Sequence, residues 1–277
     1  MTAPLIGPTA APDLHVMTFN VRRRMPGLTW PPADRWQGRR PRVQALLRTE
    51  QPAILGVQEA LPDQADAIGQ ALGDRYRFVG HGRRPGRRGE GCPLFYDAER
   101  FELLSWHQQA LSDTPDEAGS TSWGNVIPRV LVQATLRDRA ASTDLLAVNV
   151  HLDVFSGRAR LRAAEEIRRL VAGQPLPAIV TGDLNAGPGS PPVRALLSGG
   201  LLADAWTAAE ATRTPEWGTY GGYRRPRAGH RIDWIAVSRG VAVRSAGIND
   251  RPVDGGWPSD HLPVQAVVRL PRTEARA

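Results

Sequence analysis

Several stretches of the sequence place an acid, an amide or an imidazole where an apolar run ends. Asn20 closes the run 14–19, Glu59 follows 54–57, and His151 follows 145–150. Asp183 and Asn185 follow 179–181, Asp233 lies inside Arg231-Ile-Asp-Trp, and Asp260-His261 comes just before 264–270. Any one of these is a common way to leave a strand, because a short polar side chain satisfies its own backbone in a turn. Gathered at one point, they would offer hard oxygen ligands of the kind that suits Mg²⁺ or Mn²⁺.

Such convergence requires strands whose ends share one edge. Apolar, β-branched runs of strand length recur at 14–19, 54–57, 76–79, 94–96, 130–136, 145–150, 179–181, 232–237 and 264–270. Helical spacing of apolar residues appears at 39–48, 62–72 and 158–171, and Ser190-Pro-Pro reads as an N-cap and first turn before 193–197. Several strands follow one another between residues 76 and 150 without a helix, which excludes a purely alternating parallel sheet. The expected architecture is α/β (α+β): a four-layer sandwich of two mixed β-sheets packed face to face and flanked by helices.

A chain of 277 residues with 41% hydrophobic and 23% charged residues has the composition of a globular domain. No linker or repeat divides it, so one domain is expected over 14–270. The expected flanks are a flexible N-terminal arm at 1–13, carrying Pro4, Pro8 and Pro12, and a C-terminal tail at 271–277. With no long apolar run and no signal-like start, the expectation is a cytoplasmic protein without stable membrane association, acting as a monomer. Cys92 is the only cysteine, so an internal disulfide and a cysteine-rich zinc site are excluded.

The net charge is +7 and all 35 basic residues are Arg. Clusters at 22–24, 83–88 and 224–231 adjoin the polar strand ends, with Trp123, Trp217, Tyr220, Tyr223 and Trp257 nearby. A positive cleft rimmed by aromatic rings would attract an anionic, phosphate-containing substrate, nucleic acid among the candidates.

In order, Met17-Thr-Phe-Asn20, Val57-Gln-Glu59, Asn149-Val-His151-Leu-Asp153, Thr181-Gly-Asp183-Leu-Asn185, Arg231-Ile-Asp233-Trp and Ser259-Asp260-His261-Leu-Pro resemble the endonuclease/exonuclease/phosphatase superfamily over residues 14–270. Glu90-Gly-Cys-Pro-Leu-Phe-Tyr and Pro128-Arg129 fit as intermediate pieces. The Leu111-Ser-Asp-Thr-Pro and Ser122-Trp123 stretches resemble a poorly characterised bacterial branch, from which this chain departs at Val154 and around Glu90.

The resemblance implies a hydrolase that cleaves phosphate esters with Mg²⁺ (or Mn²⁺). Glu59 would hold the ion, helped by Asn20 and Asp260, while Asp183 would orient or deprotonate the attacking water with Asn185 beside it. His261 and His151 would donate to phosphate oxygens, with Asp233 and Glu90 as their respective carboxylate partners and Arg129 facing the phosphate. Asp153 would stand behind these groups. Phosphodiester bonds of nucleic acid or nucleotides are the foremost expected substrate; a small phosphorylated metabolite or lipid head group is the alternative. A further alternative, an inactive binding protein of the same fold, sits poorly with the complete set Glu59, Asp183, Asn185, Asp260 and His261.

Overall fold

The computed structural model of the chain describes residues 3–27 and 29–271. The elements run in the order β1 (Asp13–Asn20), α1 (Trp36–Glu50), β2 (Ile54–Gln58), α2 (Pro62–Leu72), β3 (Tyr76–Val79), β4 (Gly82–Arg84), β5 (Arg88–Gly91), β6 (Leu94–Asp97), β7 (Phe101–Ala110), β8 (Val130–Asp138) and β9 (Thr143–His151). There follow α3 (Gly157–Ala172), β10 (Ala178–Asp183), α4 (Pro191–Leu197), β11 (Leu202–Asp204), α5 (Ala205–Ala208), β12 (Ala211–Thr212), β13 (Asp233–Ser238), β14 (Ala242–Ile248) and β15 (Val264–Arg269).

Two mixed sheets result, ordered β12-β14-β15-β1-β2-β6-β3 and β11-β13-β10-β9-β8-β7, beside a small β4-β5 hairpin. Their facing sides share a core that includes Leu14, Ile54 and Val264 from one sheet and Val132, Ala147 and Ile179 from the other. Helices α3 and α4 cover the outer face of the six-stranded sheet through Ala163, Ile167 and Val193. On the opposite side α1 and α2 cover the seven-stranded sheet through Val43, Leu47 and Ile68. These are the four expected layers, because each sheet has one apolar face for its twin and another for a helix pair.

The pairing directions bring the polar ends together. β1 runs parallel to β2 in one sheet, and β9 runs parallel to β10 in the other. Asn20 and Glu59 therefore leave one sheet, and His151 and Asp183 the other, at carboxyl ends on a common edge. β13 is antiparallel to β10 and β15 to β1, so their amino ends meet that same edge; Asp233 pairs directly with Asp183 in register.

Beneath the edge, a buried polar bridge joins the sheets. Asn149 Nδ2 donates to Val57 O at 2.8 Å, and its Oδ1 accepts from Gln58 Nε2 at 2.7 Å and from Thr181 Oγ1 at 3.1 Å. Gly56 allows this approach, because a Cβ there would lie 2.1 Å from Thr181 Oγ1 and 2.6 Å from Asn149 Oδ1.

Two expectations are corrected. The N-terminal arm is fastened among its described residues: the backbone N–H groups of Leu5 and Gly7 donate to the buried Glu50 carboxylate at 2.7 and 3.0 Å, and Leu5 is itself buried. The Ser190 hydroxyl does not cap α4 but donates to Gly187 O at 2.7 Å. Strands β4, β5, β7, β11, β12 and β14 lie outside the expected runs; of the two long ones, β7 exposes most of its middle at a sheet edge and β14 is built largely of small residues. Residues 1–2 and all of the expected tail except Pro271 lie outside the described residues. No helix among the described residues is long and apolar enough to cross a membrane.

Candidate active site

A cleft of about 560 Å³ opens at the shared strand edge, lined by Glu59, Glu90, Arg129, His151, Asp183, Asn185, Asp260 and His261 among others. Of the ten residues expected from sequence, Asn20 and Asp233 are not in that lining but bond directly to groups that are.

Asp183 is the hub. Its Oδ2 accepts from Asn20 Nδ2 at 2.9 Å and lies 3.7 Å from His151 Nε2 and 3.9 Å from His261 Nε2. Its Oδ1 accepts the backbone N–H of Asn185 at 2.9 Å, a tight turn that holds Asn185 at φ +48°. Asn185 Nδ2 in turn donates to Leu152 O at 3.0 Å, locking the turn to the end of β9. Burial, followed by the neighbouring Asp233, pushes the Asp183 carboxyl up to about 7.

The two imidazoles are set in opposite charge states. His261 Nδ1 meets Asp233 Oδ2 at 2.9 Å, and the expected pairing is present. Burial works against the imidazolium, yet Asp233 and Asp183 hold His261 well above its ordinary value. Burial and then Arg129 and Arg83 hold His151 well below it, so His151 stays neutral. Thr219 Oγ1 fixes the start of β13 by accepting the N–H groups of Ile232 and Asp233 at 2.9 and 3.1 Å.

Glu90 departs from its expected role. It sits on the β4-β5 hairpin, where its carboxylate is taken by Arg83 at 2.5 Å and Arg23 at 3.5 Å, and no hydrogen bond joins it to His151 among the described residues. Arg129 leans on Asp153 at 3.5 Å, leaving its buried Nε and Nη1 without a hydrogen-bond acceptor; Arg83 Nε is likewise unsatisfied. Buried donors in that state are rare unless an ordered water or an anion completes them. Asp153 also accepts the N–H groups of Phe155 and Ser156 at 2.9 and 2.6 Å, so it positions Arg129 and the entry to α3 together.

Glu59 adopts φ +63°, a backbone conformation that costs a non-glycine residue about 1 kcal/mol or more. Its carboxylate accepts from Arg23 N at 3.1 Å and Asn20 Nδ2 at 3.2 Å. Burial alone would raise it, but the Arg23 N–H with nearby positive charge holds it below the usual carboxylate range. Arg22 lies 4.0 Å from Glu59 and 3.7 Å from Asp260, so both carboxylates draw positive charge toward a common point. Asn20 differs from expectation: its oxygen accepts Arg22 N at 3.0 Å while its N–H groups face Glu59 and Asp183, which makes it a bridge between the two acids.

Two groupings could hold a cation. Asp183, Asp233 and His261 bring their ligand atoms within 4.8 Å of one another. There, however, His261 Nδ1 is committed to Asp233 and the imidazolium already supplies the positive charge. Glu59 and Asp260 also have a cation near them, Arg22, but among the described residues neither carboxylate is hydrogen-bonded to an imidazole and together they give the hard-oxygen set that Mg²⁺ favours, so they are the better fit.

Residues that sequence reasoning did not single out hold the loops in place. Buried Arg39 of α1 donates to Val21 O at 2.7 Å, Arg22 O at 3.0 Å and Asp34 O at 3.1 Å. Ser259 Oγ donates to Asn20 O at 2.6 Å, tying the Asp260-His261 loop to the end of β1. Arg39 belonged to a helix with no charge pattern to mark it as buried. The aromatic and arginine clusters divide: Tyr220 stacks edge-on to His261 at 5.2 Å, whereas Trp123 is buried in the α3 core. Arg231 is also buried, paired with Asp204 at 2.6 Å and stacked on Trp234.

Comparison with known proteins agrees with this geometry. Residues 17–261 match the endonuclease/exonuclease/phosphatase family. A family protein from Bacteroides vulgatus superposes with a TM-score of 0.85 at 31% identity, covering 93% of this chain and 99% of that one. The mannosyl-6-phosphatase Bt3783 of Bacteroides thetaiotaomicron superposes equally well, with a TM-score of 0.85 at 28% identity and coverage of 92% and 99%. Human nocturnin is 25% identical over 92% of this chain, which spans 65% of nocturnin's length.

Proposed function

Because the chain belongs to the endonuclease/exonuclease/phosphatase family, we propose that the cleft is the active site of a metal-dependent phosphoesterase acting on nucleotides or nucleic acid. The observation that carries this reading is the convergence of His151, His261 and Asn20 within hydrogen-bonding or near-bonding range of the Asp183 carboxylate.

Glu59 and Asp260 are the residues that would hold Mg²⁺ (or Mn²⁺). When bound, the ion supplies charge neutralisation at the phosphoryl oxygens and the leaving oxygen. Asp183 takes the proton from the attacking water, a role served by a carboxyl brought near neutral pH. Asn185 and Asn20 fix the orientation of that carboxylate through the bonds described above. His261, kept charged by Asp233, donates to a non-bridging oxygen, and neutral His151 donates beside it. The unsatisfied N–H groups of Arg83 and Arg129 receive the remaining phosphate oxygens.

A second reading is hydrolysis of a phosphomonoester on a small sugar-like molecule. It is supported by the 28% identity with mannosyl-6-phosphatase and by the buried arginine donors, which suit a terminal dianion. Turnover of single-stranded DNA, a dinucleotide, AMP and mannose 6-phosphate, each with Mg²⁺ and with chelator, separates the two. A nucleotide-containing substrate is expected to give the highest kcat/KM; a preference for mannose 6-phosphate over all of them would transfer the assignment to the second reading.

A further inference from the structure

A second cavity, about 1000 Å³, lies beside the catalytic cleft. One loop serves both, with Tyr220 lining the cleft and Tyr223 the cavity. The partition is thin: Tyr223 OH donates to Asp34 at 2.5 Å, and Asp34 accepts from Arg22 Nε at 3.2 Å, whose guanidinium borders the cleft. Trp257 lines the cavity three residues before Asp260.

Its chemistry is aromatic and cationic. Trp217 and Trp257 are half-buried against the core between the sheets, and the Trp217 indole N–H is tied to Asp250 at 2.9 Å. Arg42 and Arg225 also line it, and neither makes a side-chain hydrogen bond or ion pair among the described residues. Four of the five arginines lining the cleft, Arg22, Arg23, Arg83 and Arg129, have a carboxylate partner; Arg42 and Arg225 do not. Arg42 is nevertheless positioned, because its guanidinium rests on the Val253–Gly256 turn, where a Cβ on Gly256 would come within 2.4 Å of Arg42 Cζ. Indole faces accept a planar ring whatever its edge pattern, and a free guanidinium pairs with phosphate in a two-pronged geometry. The volume is at the upper end of ordinary ligand sites.

We propose that this cavity binds a second nucleotide unit, its base against Trp217 and Trp257 and its phosphate on Arg42 and Arg225, while the scissile ester occupies the catalytic cleft. The preferred substrate is then at least a dinucleotide. This rests on the phosphoesterase reading of the cleft.

The test has two arms on the full chain. In chelator, where turnover is off, calorimetry reads AMP and ribose 5-phosphate binding to the wild type, Trp257→Leu and Arg42→Gln. Loss of stacking is expected to weaken AMP roughly tenfold in Trp257→Leu while sparing ribose 5-phosphate; Arg42→Gln is expected to weaken both. With Mg²⁺, both variants should raise KM for a dinucleotide by about the same factor and leave kcat, and the rate on bis-p-nitrophenyl phosphate, unchanged. AMP binding equally to wild type and both variants would overturn the subsite, as would a parallel loss on the dinucleotide and the small ester. Absence of Mg²⁺-dependent turnover of bis-p-nitrophenyl phosphate by the wild type would instead refute the phosphoesterase reading, with the chelator arm still deciding the cavity. Arg42→Gln, at a half-exposed position, keeps the test decisive if Trp257→Leu does not fold.

Discussion

Replacing Asp183 by Asn should stabilise the metal-free protein at alkaline pH while abolishing its activity. Asp183 ionises near 3.8 in an unfolded chain and near 7 in the folded one, so the folded state binds the extra proton and loses stability as pH rises through that window. The gap corresponds to about 4 kcal/mol withheld above pH 7. Asparagine carries no such penalty but can accept only one of the hydrogen bonds now made to Asn185 N and Asn20 Nδ2, a loss of about 1.5 kcal/mol. The net expectation at pH 8 is a gain of about 2–3 kcal/mol, or about 4–10 °C in Tm for a domain of this size. At pH 5 only about a third of the penalty has developed, and the two effects nearly cancel. Urea unfolding in chelator at pH 5 and pH 8 reads both values, and turnover with Mg²⁺ reads the loss of the base, about a thousandfold. A variant less stable than wild type at both pH values would refute the claim that Asp183 is a strained, proton-accepting carboxylate.

Asp233→Asn removes the counter-charge of His261 and one cause of the raised Asp183, so both limbs of the kcat/KM profile should move to lower pH with about a hundredfold loss at neutral pH. An alkaline limb that stays in place would contradict it. Gly56→Ala should cost about 3 kcal/mol or more in urea unfolding, because the new methyl lands on Thr181 and Asn149 and forces the sheets apart under the site. Replacing exposed Arg84, Arg87 and Arg88 by Gln, and leaving buried Arg83 with Glu90, should slow turnover of long DNA at low salt while sparing bis-p-nitrophenyl phosphate. Equal slowing of both would remove steering as the cause.

The strands that carry the site were legible because they are buried on both faces and read as unbroken apolar runs; the segment Val264–Arg269 stood within one residue of its expected bounds. Strand β7 escaped because an edge strand has no such requirement. The residues that converge in the cleft were readable in the same way, as polar residues at strand ends, and Asp233 with His261 paired as the resemblance implied. What sequence could not show was how charges choose partners in space. Glu90 went to Arg83 across a two-strand hairpin, since a guanidinium in the adjacent strand outcompetes a neutral imidazole. Trp123 and Arg231 look like cleft residues by proximity in sequence, yet side-chain direction at their positions sends both into the core. Arg39 gave no signal at all, because its four backbone carbonyl partners come from two loops far apart in sequence, the β1–α1 connection and the one before β15.

The central claim is that Glu59 and the residues around Asp183 form one metal-dependent phosphoester-hydrolysing centre. Its most direct test is the rate of bis-p-nitrophenyl phosphate hydrolysis as Mg²⁺ is titrated into chelator-treated wild type and Glu59→Gln. The account predicts no turnover without the ion, full recovery in the wild type, and a Mg²⁺ requirement raised at least tenfold in Glu59→Gln with partial rescue at excess ion. Chelator-insensitive hydrolysis by the wild type, or an unchanged Mg²⁺ requirement in Glu59→Gln, would contradict it.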